Sequence, residues 1–231
     1  MDVRKLNWDS DFFGLRIGRV DIASKEDGLL LANQIETLKD KFDLVYVFAN
    51  HGLCIQLPEA RLVDEKVVYT FSGLSNSEPN SNVILWDKDK DVTDDLLQLA
   101  LVSGKYSRFK LDDRFPKGSY ERLYSCWIEQ SVNHVLATEV FCFMVDGFPR
   151  GLITLDVENG VGTIGLVAIH EDFQQRGIGT AMMQHVKHYA QENKCGKLAV
   201  ATQLNNLPAC RLYEKSGFSV ESITDVWHWW L

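Results

Sequence analysis

Between an apolar run and an amphipathic one the chain carries Gln174-Gln175-Arg176-Gly177-Ile178-Gly179-Thr180. Two glycines leading into a helix that begins near Gly179 leave its first amides without partners, let an anion approach bare backbone, and add the partial positive charge of the helix dipole. The chemistry that would use such a turn is phosphate or diphosphate binding; a plain strand-to-helix turn has the same spacing. A P-loop is excluded, because Thr180 follows Gly179 with no lysine between. A dinucleotide fingerprint is disfavoured: Met182 stands where a third small residue belongs, and no fitting acidic partner lies about 20 residues on. A second concentration of chemistry is Lys105-Tyr106-Ser107-Arg108-Phe109-Lys110 with Arg114, cations and aromatics that could grip a diphosphate and stack a base, or form a solvated loop. His185 and His188 stand three apart on a polar helix face with no third ligand, so they read as surface histidines.

The surrounding composition narrows the partners. A net charge of -8 over 231 residues argues against nucleic-acid binding and requires local positive potential for any anionic substrate. The five cysteines are odd in number and never spaced C-x-x-C, which predicts reduced core thiols and no metal site. No apolar run approaches the ~20 residues of a membrane helix, and Asp2, Asp9 and Asp11 do not suit a secretion signal, so the expected location is cytoplasmic.

The elements that must position these residues follow from periodicity. Residues 72–82 read SGLSNSEPNSN, a polar break that places a boundary near residue 78. Before it, residues 29–39 have helical spacing and residues 44–49 and 67–71 suit strands. After it come a strand at 83–86, a helix capped by Thr93, and a helix whose stripe is Tyr120, Leu123, Tyr124, Trp127 and Ile128. Strands at 140–145, 151–157 and 161–169 are separated by Asp146-Gly147 and Asn159-Gly160, both hairpin signals. Then follow the glycine turn with its helix, a strand at 198–202, a helix at 208–215 stopped by Gly217, and a last strand over 218–231.

This order, together with Q-x-x-G-x-G at 174–179 and Asn206-Leu207-Pro208-Ala209-Cys210-Arg211-Leu212-Tyr213-Glu214-Lys215-Ser216-Gly217-Phe218, resembles the Gcn5-related N-acetyltransferase (GNAT) family. The resemblance implies an α/β (α+β) fold with a mixed central sheet flanked by helices. A smaller N-terminal α/β subdomain, residues 1–78, would contribute to acceptor binding, and residues 79–231 would form the acetyltransferase domain. It also implies acetyl-CoA as co-substrate. Residues 6–14, Ser107-Arg108-Phe109, Trp127-Ile128-Glu129 and Val200-Ala201-Thr202-Gln203 resemble the branch of the family that acetylates the amino group of a dTDP-4-amino-4,6-dideoxyhexose for surface polysaccharide. An acetyltransferase for a peptide N-terminus, polyamine or antibiotic, and a CoA-binding module without turnover, stay open.

Residue by residue, the resemblance implies that Val167, Ala168 and Ile169 offer backbone groups to the pantetheine arm, with an amide near Val167 polarising the thioester carbonyl. Gln175, Arg176, Gly177, Ile178, Gly179 and Thr180 would hold the pyrophosphate. Asn206 would bond the pantetheine arm or simply cap its helix, and Tyr213 would be the general acid beside the sulfur. Ala201 stands where some members have an activating glutamate, and Glu171 where many have proline. The base is therefore sought elsewhere, at Asp64, although its strand parity with Lys66 and Thr70 also fits a solvated face. Arg108 would bind the acceptor. The tail Trp227-His228-Trp229-Trp230-Leu231 could line an acceptor cleft, form a dimer seam, or pack as an edge strand.

Overall fold

A computed structural model of the protein describes residues 2–73, 78–87 and 90–231, so part of the expected boundary segment, residues 74–77, lies outside the described residues. The order is β1 (Arg4–Lys5), α1 (Asn7–Phe13), β2 (Ile17–Ile22), α2 (Lys25–Ala32), α3 (Ile35–Lys39), β3 (Leu44–Asn50), β4 (Arg61–Phe71), β5 (Val83–Leu85) and α4 (Asp94–Ser103). It continues with α5 (Arg108–Leu111), α6 (Ser119–Val132), β6 (Glu139–Val145), β7 (Phe148–Glu158), β8 (Val161–Ile169), α7 (Ile178–Glu192), β9 (Lys197–Gln203), α8 (Leu207–Lys215) and β10 (Ser219–Trp230). The ten strands form one sheet in the order β1-β2-β3-β10-β4-β9-β8-β7-β6-β5. Among the described residues only β2/β3 and β8/β9 pair in parallel.

Local signals explain most elements. Asp146-Gly147 and Asn159-Gly160 both take positive φ in consecutive pairs, the backbone of tight hairpins between β6, β7 and β8. The Thr93 hydroxyl accepts from Leu96 N–H at the start of α4, and Ser24 with Asp27 forms a capping box on α2. That box starts a helix earlier than residue 29, and the chain breaks at Asn33 before α3, so the single helix expected over 29–39 is two short ones.

Helices cover both sheet faces. Phe13, Leu99, Leu123, Ile128 and Val140 belong to one buried cluster, which places α1, α4 and α6 on one face. On the other, α7 and α8 supply Met182, Val186, Cys210 and Tyr213 against β4 and β6 to β9, while α2 and α3 supply Leu31 and Leu38 against β2 and β3. The thiols divide between core and surface: Cys142 and Cys210 are buried, but Cys54 is exposed, so not all five are core residues.

The strand over 218–231 is interior and not an edge. Seven residues of β10 pair with β3, and its other side pairs with β4, because alternation sends His228 and Trp230 to the face of α1 and Trp229 to the face of α2. β4 starts at Arg61, six residues before the expected start, and lies between β10 and β9, so residues on both sides of position 78 share one sheet. Trp229 is 0% exposed and its indole N–H donates to Pro58 O at 2.9 Å. Trp229→Ala should lower unfolding free energy by about 3–5 kcal/mol, read as a lower denaturant midpoint at unchanged slope.

Candidate functional site

The site begins with a split in the sheet. β8 and β9 pair only from Val161↔Lys197 to Ile164↔Val200, then part. On its other side β8 meets β7 with a register shift between Ile153 and Leu155, where the Thr154 hydroxyl takes the N–H of Leu166 at 2.8 Å. Gly165 makes room for that hydroxyl, since a Cβ there would lie 2.8 Å from Thr154 Oγ1. With Leu166 N–H and His170 N–H both pointing toward β7, strand alternation turns the N–H and C=O of Val167 into the opening. A cavity of about 460 Å³ fills it, lined by Asp64, Arg108, Val167, Asn206 and Tyr213 among others.

Beyond β8 the chain makes the expected turn. Gln175 and Gly177 both have left-handed backbone, φ 60° and 80°, and Gly177 opens α7 with no side-chain cap, so the first-turn amides are unsatisfied. The turn is tied down: Gln174 donates to Ile169 O at 3.1 Å, and Gly179 packs so closely on Leu212 that a Cβ would lie 3.2 Å from it. This close approach sets the N-terminal end of α7 against the residue before Tyr213. Arg176 is exposed and stacks over Phe173.

Asn206 caps its helix and also reaches the cavity. Its carbonyl caps α8 by accepting from Ala209 N–H at 3.4 Å, its amide donates to Thr202 Oγ1 at 3.1 Å, and it lines the cavity. Tyr213 is 2% exposed, packed near Tyr69 and Phe218, and burial raises the pKa of its phenol, which keeps it protonated. Among the described residues no protein group hydrogen-bonds its hydroxyl.

Asp64 is not on a solvated face. Burial pushes its pKa up to about 6, against opposing pulls from Arg108, Lys66 and the Gln203 side chain, and its Oδ1 is buried with no hydrogen-bond partner. Lys66, on the same face, is itself half-buried, and burial lowers its pKa. Of the polar residues on this face of β4, Asp64 therefore lines the cavity, while Lys66 and Thr70 are half-buried. The segment 105–110 is a loop only over 105–107: Ser107 caps the helical turn α5, which turns Arg108 inward over the rings of Tyr46 (4.1 Å) and Phe109 (4.6 Å). Among the described residues the guanidinium forms no ion pair; its hydrogen bond is to His228 Nε2 at 3.2 Å.

The fold thus gathers Asp64 from β4, Arg108 from α5, Val167 from β8, and Asn206 and Tyr213 from α8 and its cap into one cavity, while Ala168, Ile169 and residues 175–180 lie outside its wall. Ala168 is buried toward α4 and α6. Sequence reasoning missed Thr154, Tyr124 and Gln203 in the wall, and Tyr46, Asp112 and His228 behind Arg108. The histidine pair is structural at one member: His185 Nδ1 accepts the N–H of Asn80 at 3.2 Å. On the opposite face His51, Glu65 and Asp225 converge, an arrangement the sequence spacing did not suggest, with His51 Nδ1 2.7 Å from Asp225 Oδ1. No described helix is long and apolar enough to cross a membrane.

Comparison with known proteins agrees with this geometry. Residues 106–218 match the family profile described as "Acetyltransferase (GNAT) family". The chain is 28% identical over 224 residues, 95% of it and 94% of the relative, to dTDP-fucosamine acetyltransferase of Escherichia coli O6:H1. It is 24% identical to the spore coat polysaccharide biosynthesis protein SpsD of Bacillus subtilis, over 60% of this chain and 47% of that protein. Among solved structures, a GCN5-related N-acetyltransferase from Sphaerobacter thermophilus superposes with a TM-score of 0.61 at 14% identity, covering 99% of this chain and 76% of that one.

Proposed function

We propose, from the premise that residues 106–218 are an acetyltransferase domain of the GNAT family, that this N-acyltransferase moves acetyl from acetyl-CoA to the amino group of a dTDP-4-amino-4,6-dideoxyhexose by direct attack in a ternary complex, for surface polysaccharide biosynthesis. The observation that carries the acceptor side is the pairing, in one cavity, of a carboxylate at Asp64, one buried oxygen of which has no hydrogen-bond partner, with a guanidinium at Arg108 that makes no ion pair within 4.0 Å among the described residues. The first suits an amine and the second an anionic group of the same molecule. A relative named for a dTDP-sugar and covering nearly the whole chain supports that choice.

The residues present fit the donor. The open edge at Val167 and the uncapped start of α7 are unsatisfied backbone placed where a pantetheine arm and a pyrophosphate need partners. Acetyl-CoA supplies an activated thioester. Val167 N–H would polarise its carbonyl, residues 175–180 would take the pyrophosphate, and Asn206 would bond the arm. Asp64 takes the proton that the amine sheds as its nitrogen bonds to the acetyl carbon. Tyr213 returns a proton to the sulfur as the carbon–sulfur bond breaks. Residues 1–78 act as part of the acceptor apparatus, since β4 brings Asp64 to the cavity. The reading places the enzyme in the cytoplasm, where its five thiols stay reduced.

Incubation of purified protein with acetyl-CoA and dTDP-4-amino sugars, followed by thiol release, tests the reading. Turnover with these acceptors and not with polyamines, peptides or aminoglycosides supports it. Calorimetric binding of acetyl-CoA without such turnover removes the sugar assignment, and no binding removes the donor site.

A further inference from the structure

Behind Arg108 lies a second layer of polar groups that the transfer chemistry does not use. His228 is 0% exposed, and the side chain of Asp112, which follows α5, is 1% exposed. Their contact is short, His228 Nδ1 to Asp112 Oδ2 at 2.6 Å. The same oxygen accepts from Trp230 Nε1 at 3.0 Å and Arg114 Nη2 at 3.1 Å, and Oδ1 accepts from Arg114 Nε at 2.8 Å. We propose that Asp112 and His228 are positioning residues that fix where Arg108 aims its free N–H groups, and so set the affinity of the site for the anionic group of the acceptor. This inference rests on the reading of Arg108 as an acceptor contact.

The argument is one of donors and acceptors. A carboxylate accepts only, so the proton between Asp112 and His228 sits on Nδ1. A neutral imidazole protonated there has its lone pair on Nε2, and this is the atom 3.2 Å from Arg108 Nη1. The guanidinium has donors alone, so the opposite tautomer would set N–H against N–H. Burial keeps the imidazole neutral, driving its pKa down to about 4, with Arg108 and Arg114 adding to the effect and Asp112 opposing it. The Tyr46 ring completes the seat, stacked at 5.0 Å on the His228 ring and lying 4.1 Å from Arg108 Cζ.

A histidine in this place does something a carboxylate could not. It orients the guanidinium without cancelling its charge, so the cation stays available to a ligand in the cavity. The buried negative charge is one residue further back, on Asp112, where Arg114 already balances it.

Nitrogen-15 NMR of the unliganded wild type, combined with kinetics of two variants, tests the proposal. The expected spectrum shows His228 protonated at Nδ1 and unprotonated at Nε2. His228→Phe, which keeps a flat ring but offers no acceptor, should raise KM for the dTDP-4-amino sugar by about 10- to 100-fold, the worth of one hydrogen bond to a charged group. Acetyl-CoA affinity should stay within about twofold. His228→Gln, which can place an amide oxygen near the Nε2 position, should recover much of the loss. A wild-type Nε2–H tautomer overturns the proposal, as does a His228→Phe effect absent from the acceptor KM or equal for both substrates. The NMR arm needs no acceptor, so it scores the relay even if dTDP-amino sugars prove not to be substrates; that result would sink the proposed function by itself.

Discussion

Tyr213→Phe is expected to lower turnover by about 10²- to 10⁴-fold while leaving acetyl-CoA affinity within about a factor of two. The substitution removes one oxygen and nothing else. The ring keeps its place against Tyr69 and Phe218, at centroid distances of 5.6 and 6.2 Å. Among the described residues no group hydrogen-bonds the hydroxyl, so its removal orphans none of them and should hardly alter stability. What disappears is a proton donor whose burial raises its pKa further above neutrality, facing the cavity into which Val167 also opens. Stopped-flow thiol release gives the turnover and calorimetry the affinity. Unchanged turnover would show that the sulfur takes its proton from solvent, and a matching loss of affinity would make Tyr213 a binding residue.

Asp64→Asn should produce the second large effect, a drop of about 10²- to 10⁴-fold in kcat/KM near neutral pH. The wild-type profile should rise with pH through about 6, because the base acts only when ionised and burial sets that pKa. The variant should lack this limb. Stability should move the opposite way. Below about pH 4 Asp64 is protonated both folded and unfolded and has no effect on the balance. As pH rises through about 6 the folded state must ionise a carboxylate that water would ionise more easily, so stability is lost over that window. Asn avoids the penalty. At pH 8 the variant should unfold about 1–3 kcal/mol later than the wild type, measured by chemical denaturation at both pH values. An inactive variant with no gain in stability would indicate general damage to the cavity, and an active one would remove Asp64 from proton transfer.

How much of this was legible depended on how local the physics is. The hairpins at Asp146-Gly147 and Asn159-Gly160, the Thr93 cap and the turn opening α7 each declare themselves within a few residues, and all are present. The two motifs that resemble the acetyltransferase family are local as well, and the structure brings Asn206 and Tyr213 to one cavity. Asp64 was misjudged as equally suited to solvent because parity along one strand says which residues share a face, not what covers that face. Its cover is α5, in a segment whose cations and aromatics suit an anion grip and a solvated loop equally. The Asp112–His228 contact joins residues 116 apart, and no pattern in either segment announces it. The opening between β8 and β9 depends on Thr154 filling a bulge, which looks in sequence like one more buried strand residue.

The place of β10 between β3 and β4 bears on how the protein comes to be made. Translation delivers β3 and β4 early, yet the strand that joins them is not complete until Trp230 has emerged. Through that interval two strand edges lack the partner they will share, and such edges pair readily with other chains. The cavity wall at Asp64 and the seat of Arg108 at His228 are finished by this same late event. The proposed acceptor site is therefore completed in one step with the closing of the sheet.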